Sequence, residues 1–269
     1  MKNFNIQKHN ELEYITFPIL ESFTNIAHGF TTRNKGMSSP PFNSLNMATN
    51  QEDDLNLVKQ NYELLSNALN LKPNFHILKQ VHGSDGYIVD TSNFESILNP
   101  SLFQNGDYLI TNTPGIILSL QFADCVPIIL FDPTLNIVAL AHAGWKGTLS
   151  RISSIVVSKM ISVFNSKPKD IIAVIGPSIS PNDFEVGSEV FDKFASVDIF
   201  NDSNILLKNK ISLKIDLWNA NKKDLIEIGL LEENIQISNL STVSSSFLFS
   251  YRRDHGNTGR MCSFITLLK

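Results

Sequence analysis

Apolar positions along the chain recur at two different spacings. Leu55, Leu57, Val58, Tyr62, Leu64, Leu65 and Leu69 return at helical spacing, and Asp53-Asp54 precedes them all. That spacing predicts an amphipathic helix with an acidic start and one face turned to a core. From His76 to Ala143 the pattern changes to short, nearly continuous apolar runs: HILKQV, GYIVD, DYLIT, GIILSLQF, VPIILF and NIVALAHA. Such runs, rich in Ile, Val and Leu and bounded by Gly, Pro, Asn or Asp, predict buried strands. An earlier run, TNIAHGFTTR, predicts one more strand, with the polar loop NKGMSSPPFNSLN after it.

Helical spacing returns in TLSRISSIVVSKMISVF, with Thr148 as its cap or first-turn residue, and in EVGSEVFDKFAS and LWNANKKDLIEIGL. DIIAVIGPSI reads as a buried strand closed by a Gly-Pro turn, and FLFSYRR and MCSFITLL as the last two strands. Strands outnumber helices and do not alternate with them, which argues against a doubly wound sheet. The expected class is α+β, with extensive β-sheet packing and helices outside. No internal repeat or low-complexity linker divides the chain, so a single domain over residues 1–269 is expected.

Composition narrows the function classes. Hydrophobic residues make up 42% and charged residues 18%, enough for a sizeable globular core. A net charge of −4 without a long basic run argues against nucleic-acid binding. The N-terminal segment MKNFNIQKHNELEYITF lacks the apolar centre of a signal peptide, and no apolar stretch is long enough for a membrane span. The two cysteines, Cys125 and Cys262, are too few for a disulfide framework. A cytoplasmic enzyme is the expectation; no assembly signal indicates whether it is a monomer or a homodimer.

Three candidate ligands stand at the ends of apolar runs. Cys125 follows GIILSLQFA, while His82 and His142 close HILKQV and NIVALAHA, each next to a glycine or one residue from it. An isolated cysteine is most often a small buried hydrophobe, and an isolated histidine a hydrogen-bonded structural residue. Repetition of the same placement three times points instead to an open zinc site, with one thiolate, two imidazoles and a position left for water or substrate. Asp124, beside Cys125, is a candidate for orienting a ligand or for acid–base work.

Two further segments carry positive charge. AGWKGTLS places Trp145 and Lys146 between glycines at the start of a helix, which suits an anion or, equally, a tight strand–helix turn. SYRRDHGNTGR holds Arg252, Arg253 and Arg260, and TTRNKG holds Arg33. Arg33, Lys146 and Arg253 are the expected contacts to an anionic substrate. Trp145 or Phe184 is the candidate to stack on an aromatic base.

Read in order, TTRNKGMSSPPFNSLN, KQVHG, GDYLIT, ADCVPIIL, AHAGWKG, IGPSIS…FEVG and FSYRRD…TGRM resemble the YfiH/YlmD family through nearly the whole chain. That family is called laccase-like or polyphenol oxidase in one tradition and purine nucleoside phosphorylase in another, and its mammalian member is FAMIN. The resemblance implies one domain of layered α/β/β/α architecture. It implies a metal, Zn2+ in preference to copper, held by His82, Cys125 and His142. It further implies phosphorolysis of adenosine, inosine, guanosine and methylthioadenosine, with adenosine deamination beside it, so that purine nucleosides and phosphate are the expected partners. Members are also linked to peptidoglycan editing.

The chain departs from the family in three places. Lys35 interrupts the glycine pair before Gly36, SPNDF stands where a cysteine pair is common, and Ser241-Thr242 replaces Cys-Thr. The missing thiols leave too few ligands for several copper centres. Competing expectations are a cysteine hydrolase or amidase with Cys125 as nucleophile and His142 as base, and a copper-dependent phenol oxidase. A non-enzymatic protein with a zinc-stabilised core would need a fourth ligand, for which Cys262 or His255 are the candidates.

Overall fold

The chain is described by a computed structural model covering residues 3–9, 12–49, 52–92 and 103–269. Its first part runs β1 (Asn5–His9), β2 (Leu12–Thr16), α1 (Pro18–Glu21), β3 (Ile26–Thr31), α2 (Leu55–Ala68), β4 (Phe75–Ile77) and β5 (Gly86–Ile88). The central part is β6 (Tyr108–Thr111), β7 (Ile117–Phe122), β8 (Val126–Asp132), β9 (Ile137–Ala143), α3 (Trp145–Leu149) and α4 (Ile152–Phe164). The last part is β10 (Ile172–Ile175), α5 (Ser188–Ala195), β11 (Leu206–Lys208), β12 (Leu213–Ile215), α6 (Leu217–Glu227), β13 (Ile235–Ile237) and β14 (Met261–Leu267).

Two six-stranded sheets carry the fold, in the orders β1-β2-β3-β14-β7-β4 and β13-β10-β8-β9-β6-β5. Alternation of side chains along each strand then assigns the layers. Leu118, Leu120 and Phe122 of β7 meet Ile129 and Phe131 of β8 and Val138 and Leu140 of β9 between the sheets. Val126, Ile128 and Leu130, at the alternate positions of β8, face outward against Val156 and Met160 of α4 and Leu225 of α6. On the opposite side, Ile117 and Phe264 pack against Val58, Tyr62 and Leu65 of α2. The result is helix, sheet, sheet, helix, an α+β class in a single domain, as expected.

Strand pairing brings the candidate ligands together. The link Ala123-Asp124-Cys125 crosses from the end of β7 in one sheet to the start of β8 in the other. β8 and β9 are antiparallel, with Pro127 opposite His142, so the beginning of one strand lies beside the end of the other. β6 pairs with β9 on its other side, and the His142 amide donates to the Asp107 carbonyl at 2.7 Å. β5 runs parallel to β6, and the Asp107 amide donates to the Asp85 carbonyl at 2.7 Å. The loop holding His82 is therefore led to the same end of the sheet.

Several sequence expectations change. In HILKQV only the first residues remain in a strand, because β4 ends at Ile77. Gln80 prolongs the pairing with its side chain: its Nε2 donates to the Gln121 carbonyl and its Oε1 accepts from the Gln121 amide, both at 2.8 Å. The helix expected from Thr148 starts at Trp145 and is broken at Arg151, whose φ of 60° lies in the left-handed region. Asp224 holds that break, accepting from Arg151 Nε at 2.7 Å.

FLFSYRR forms turns rather than a strand. The Arg253 guanidinium supplies what a ladder would have, donating to the carbonyls of Thr242, Ser245 and Leu248 at 2.8–3.1 Å. At the N-terminus, β1, β2 and α1 had no sequence expectation. β1 is an exposed edge strand with polar residues on both faces, so it lacks the alternation that marks a half-buried strand.

Candidate metal centre and active-site cavity

His82, Cys125 and His142 form one group whose ligand atoms all lie within 4.8 Å of one another. The three differ in burial: His142 is buried, Cys125 half-buried and His82 exposed. Gly144 permits this approach, since a Cβ at that position would come within 3.1 Å of Cys125 Sγ and 3.2 Å of the His82 ring. The two imidazoles meet edge to face, with centroids 4.8 Å apart.

Behind the trio lies Asp107, a fully buried carboxylate. Its Oδ1 is 2.8 Å from His142 Nδ1 and accepts from the His82 amide at 3.0 Å, while its Oδ2 accepts from the amides of Gly83 at 2.6 Å and Val81 at 3.3 Å. This arrangement fixes the tautomer of His142 with Nδ1 carrying the proton, leaving Nε2 to face Cys125. Burial opposes the Asp107 charge, but His142 and the backbone donors prevail and hold its carboxyl below the usual range.

Electrostatics couple the remaining members. Burial works against a Cys125 thiolate, yet His142 and His82 outweigh it and bring the thiol down to about 6. Burial likewise works against a charged His142, yet Cys125 and Asp107 raise it to about 9. The two shifts share one direction, each partner favouring the charged form of the other.

The donor set fits one zinc ion. One thiolate and two imidazoles within a few ångströms are the ligands of an open site, and tetrahedral bonds of roughly 2.0–2.3 Å place such atoms closer still. Among the described residues this is the only group of three or more His, Cys, Asp or Glu suited to hold an ion. Cys262 does not join it: its Sγ lies 2.9 Å from Ser119 Oγ inside the sheet, and burial pushes its thiol up to about 12. His255 is not part of the group either.

The trio opens into a cavity of about 360 Å³. Its lining combines apolar side chains, Trp145, Ile179, Phe184 and Leu217, with polar ones, Gln80, Gln121, Arg252 and Arg260. Asp124 also lines it, with a φ of 88°. Both of its carboxylate oxygens are already engaged, Oδ1 accepting from Thr242 Oγ1 at 2.5 Å and Oδ2 from the Arg252 amide at 2.6 Å. Asp124 thereby ties the Cys125 crossover to the C-terminal turns instead of standing free for proton transfer.

The expected anion contacts lie elsewhere. Arg33 stacks over Phe249, donates to the Asn43 carbonyl and lines a different surface pocket. Arg253 is consumed by the carbonyls named above and by Asp254. Lys146 is exposed beside the Trp145 ring and does not line the cavity. Arg252 and Arg260, in the same motif, do. Asp107 had no assigned role in the sequence, although it opens the DYLIT run; its partners are remote in sequence and no spacing marks them.

The family described as multi-copper polyphenol oxidoreductase laccase matches residues 27–268. The chain belongs to the YfiH/YlmD family. The purine nucleoside phosphorylase YlmD of Bacillus subtilis is 36% identical over 244 residues, covering 88% of this chain and 87% of that protein. The purine nucleoside phosphorylase YfiH of Escherichia coli is 33% identical over 238 residues, covering 88% and 92%. The crystal structure of YlmD from Geobacillus stearothermophilus superposes with a TM-score of 0.90 at 31% identity, covering both chains fully. Among the described residues, no helix is long and apolar enough to cross a membrane.

Proposed function

We propose that this YfiH/YlmD family member is a purine nucleoside phosphorylase with a single zinc ion held by His82, Cys125 and His142. The observation that carries the reading is the mixed lining of the cavity: Trp145, Ile179, Phe184 and Leu217 supply apolar surface, and the His–Cys–His trio stands in the same cavity with two arginines. A planar purine suits the apolar side chains, by stacking and apolar burial, and ribose with phosphate suits the polar ones. Relatives at 33–36% identity that carry the name purine nucleoside phosphorylase support the same reading.

In the reaction, a phosphate oxygen forms a bond to ribose C1′ while the bond from C1′ to the purine nitrogen breaks. The electron pair leaves with the purine, and the proton of hydrogen phosphate ends on the free base, giving ribose 1-phosphate. A zinc ion bound by the trio would supply Lewis acidity toward an oxygen or nitrogen of the substrate. Asp107 orients His142 and the His82 loop, Asp124 holds the crossover that presents Cys125, and the apolar side chains exclude water from the base. Adenosine deamination belongs to the same reading as a second activity, in which water adds at C6 of the adenine and the amino group leaves as ammonia, the bond to ribose staying intact.

A single three-ligand group suits one ion better than a multicopper centre, so copper-dependent phenol oxidation ranks below the zinc reading. One observation favours a Cys125–His142 hydrolase as the second reading: the thiol brought down to about 6 beside its histidine. The deciding experiment incubates zinc-loaded protein with adenosine, inosine and guanosine, with and without phosphate, and separates the products. Phosphate-dependent release of base and ribose 1-phosphate, lost in Cys125→Ala and His82→Ala, is expected. Failure to turn over any purine nucleoside would remove the phosphorylase reading in favour of the hydrolase.

A further inference from the structure

We propose that Arg260, with Arg252 beside it, is the oxyanion subsite of the cavity and holds the inorganic phosphate that attacks the ribose; this rests on the phosphorylase reading above. The first support is the absence of a direct ion pair. Arg151 and Arg253 are paired with carboxylates, whereas neither Arg252 nor Arg260 has a carboxylate within salt-bridge distance among the described residues. Asp124 is the only carboxylate lining the cavity, and both of its oxygens are occupied by Thr242 and the Arg252 amide.

Arg260 is half-buried, and its Nη1 donates to the carbonyls of Thr258 at 2.8 Å and Gly259 at 3.0 Å. Its amide donates to Asn46 Oδ1 at 2.8 Å, and its guanidinium lies 5.6 Å from the centre of the Tyr251 ring. These contacts fix the plane of the group, and among the described residues the hydrogen bonds of the guanidinium all come from Nη1. The Nε–Nη2 edge is thus the free fork, the geometry that suits two oxygens of a phosphate.

Arg252 is anchored in the same manner, donating to the carbonyls of Asp183 and Glu185 and stacking on Phe184. Arg252 is exposed, whereas Arg260 is partly withdrawn from water; that is costly for a cation without an ion-pair partner, and a bound anion offsets the cost. The subsite therefore offers a phosphate the unpaired Arg260 edge, with Arg252 beside it, in a cavity whose only lining carboxylate among the described residues, Asp124, is turned to Thr242 and the Arg252 amide.

The same chemistry would accept the phosphate of a nucleoside 5′-monophosphate, so the test has two arms. Calorimetric titration of zinc-loaded protein with inorganic phosphate, and separately with adenosine 5′-monophosphate, is run on wild type, Arg260→Gln, Arg260→Lys and Arg33→Gln. Phosphate KM and nucleoside KM are measured in parallel. Circular dichroism reports folding, and Arg260→Lys keeps the charge where Arg260→Gln loses it.

Loss of one charged hydrogen-bonding group corresponds to a roughly 10- to 100-fold weaker interaction. The expected result is that size of rise in the Kd and KM for phosphate in Arg260→Gln, a smaller rise in Arg260→Lys, unchanged nucleoside KM and no effect of Arg33→Gln. Unchanged phosphate binding in both folded Arg260 variants would overturn the assignment. Arg260-dependent binding of the monophosphate without binding of inorganic phosphate would overturn the co-substrate role. If the wild type turns over no nucleoside, the phosphorylase reading fails on its own, and the binding arms still judge Arg260.

Discussion

Asp107 Oδ1 lies 2.8 Å from His142 Nδ1 and also accepts the His82 amide, so one buried carboxylate sets the orientation of both histidines in the trio. Asparagine at position 107 has one acceptor atom where aspartate has two, and its amide group would face the donors of Gly83 and Val81. Asp107→Asn is expected to weaken zinc binding by about 10- to 100-fold. Competition with a calibrated chelator measures this directly, and zinc affinity equal to wild type would show that the carboxylate does not position the ligands.

The two cysteines differ in environment, and their reactivity should differ accordingly. Cys125 is half-buried next to two imidazoles, while Cys262 is sealed within the sheet against Ser119. Iodoacetamide should modify metal-free protein at Cys125 alone, and saturating zinc should protect it. Peptide mass mapping reads the outcome; modification of Cys125 at the same rate with and without zinc would speak for a nucleophile that needs no metal.

Asp124 is held in the left-handed region by Thr242 and the Arg252 amide. Thr242→Val keeps the shape of the side chain and removes the hydroxyl, leaving a buried carboxylate oxygen without its donor. A loss of about 1–3 kcal/mol in unfolding free energy is expected, together with lower turnover as the Cys125 crossover loosens. Urea titration and steady-state assays test both halves. A variant with unchanged midpoint would mean that the turn is held by other contacts.

His28 gives the fold a pH dependence far from the trio. Burial lowers its pKa from 6.5 to about 4, opposed in part by Glu21, and the Phe17 amide donates to Nε2 at 3.1 Å, a bond that only the neutral ring can accept. The folded state thus favours the neutral ring, while the unfolded chain binds a proton below pH 6.5. Stability from this residue is complete above that value and is lost as pH falls toward 4, amounting to about 3 kcal/mol at most. Unfolding curves between pH 4 and 7 should show a slope that flattens in His28→Gln; an identical slope in that variant would place the acid sensitivity elsewhere.

Much of the framework was legible in the chain itself. The strand runs from DYLIT to NIVALAHA appear at the expected places because each is buried on both faces and so is apolar without interruption. The helix after Asp53-Asp54 forms over Leu55–Ala68, with Asp54 accepting from the Asn56 amide. His82, Cys125 and His142 were marked by standing where apolar runs stop. Local pattern suffices for such features, since burial and helix capping act on neighbours in sequence.

What the sequence could not rank was the role of each arginine or the identity of the residue behind the ligands. Arg252 and Arg253 are adjacent in the chain, yet one lines the cavity and the other is spent on the carbonyls of Thr242, Ser245 and Leu248. Asp107 is an ordinary acidic residue before a strand until β5, β6 and β9 align beside one another and bring His142 and the His82 loop to its two oxygens. Periodicity determined the central strands and the main helices, and the residues at the ends of the apolar runs determined the ligand types. Tertiary structure decided which charges are neutralised and which remain free for a ligand, because that depends on groups 25 to 128 residues apart meeting within hydrogen-bond distance.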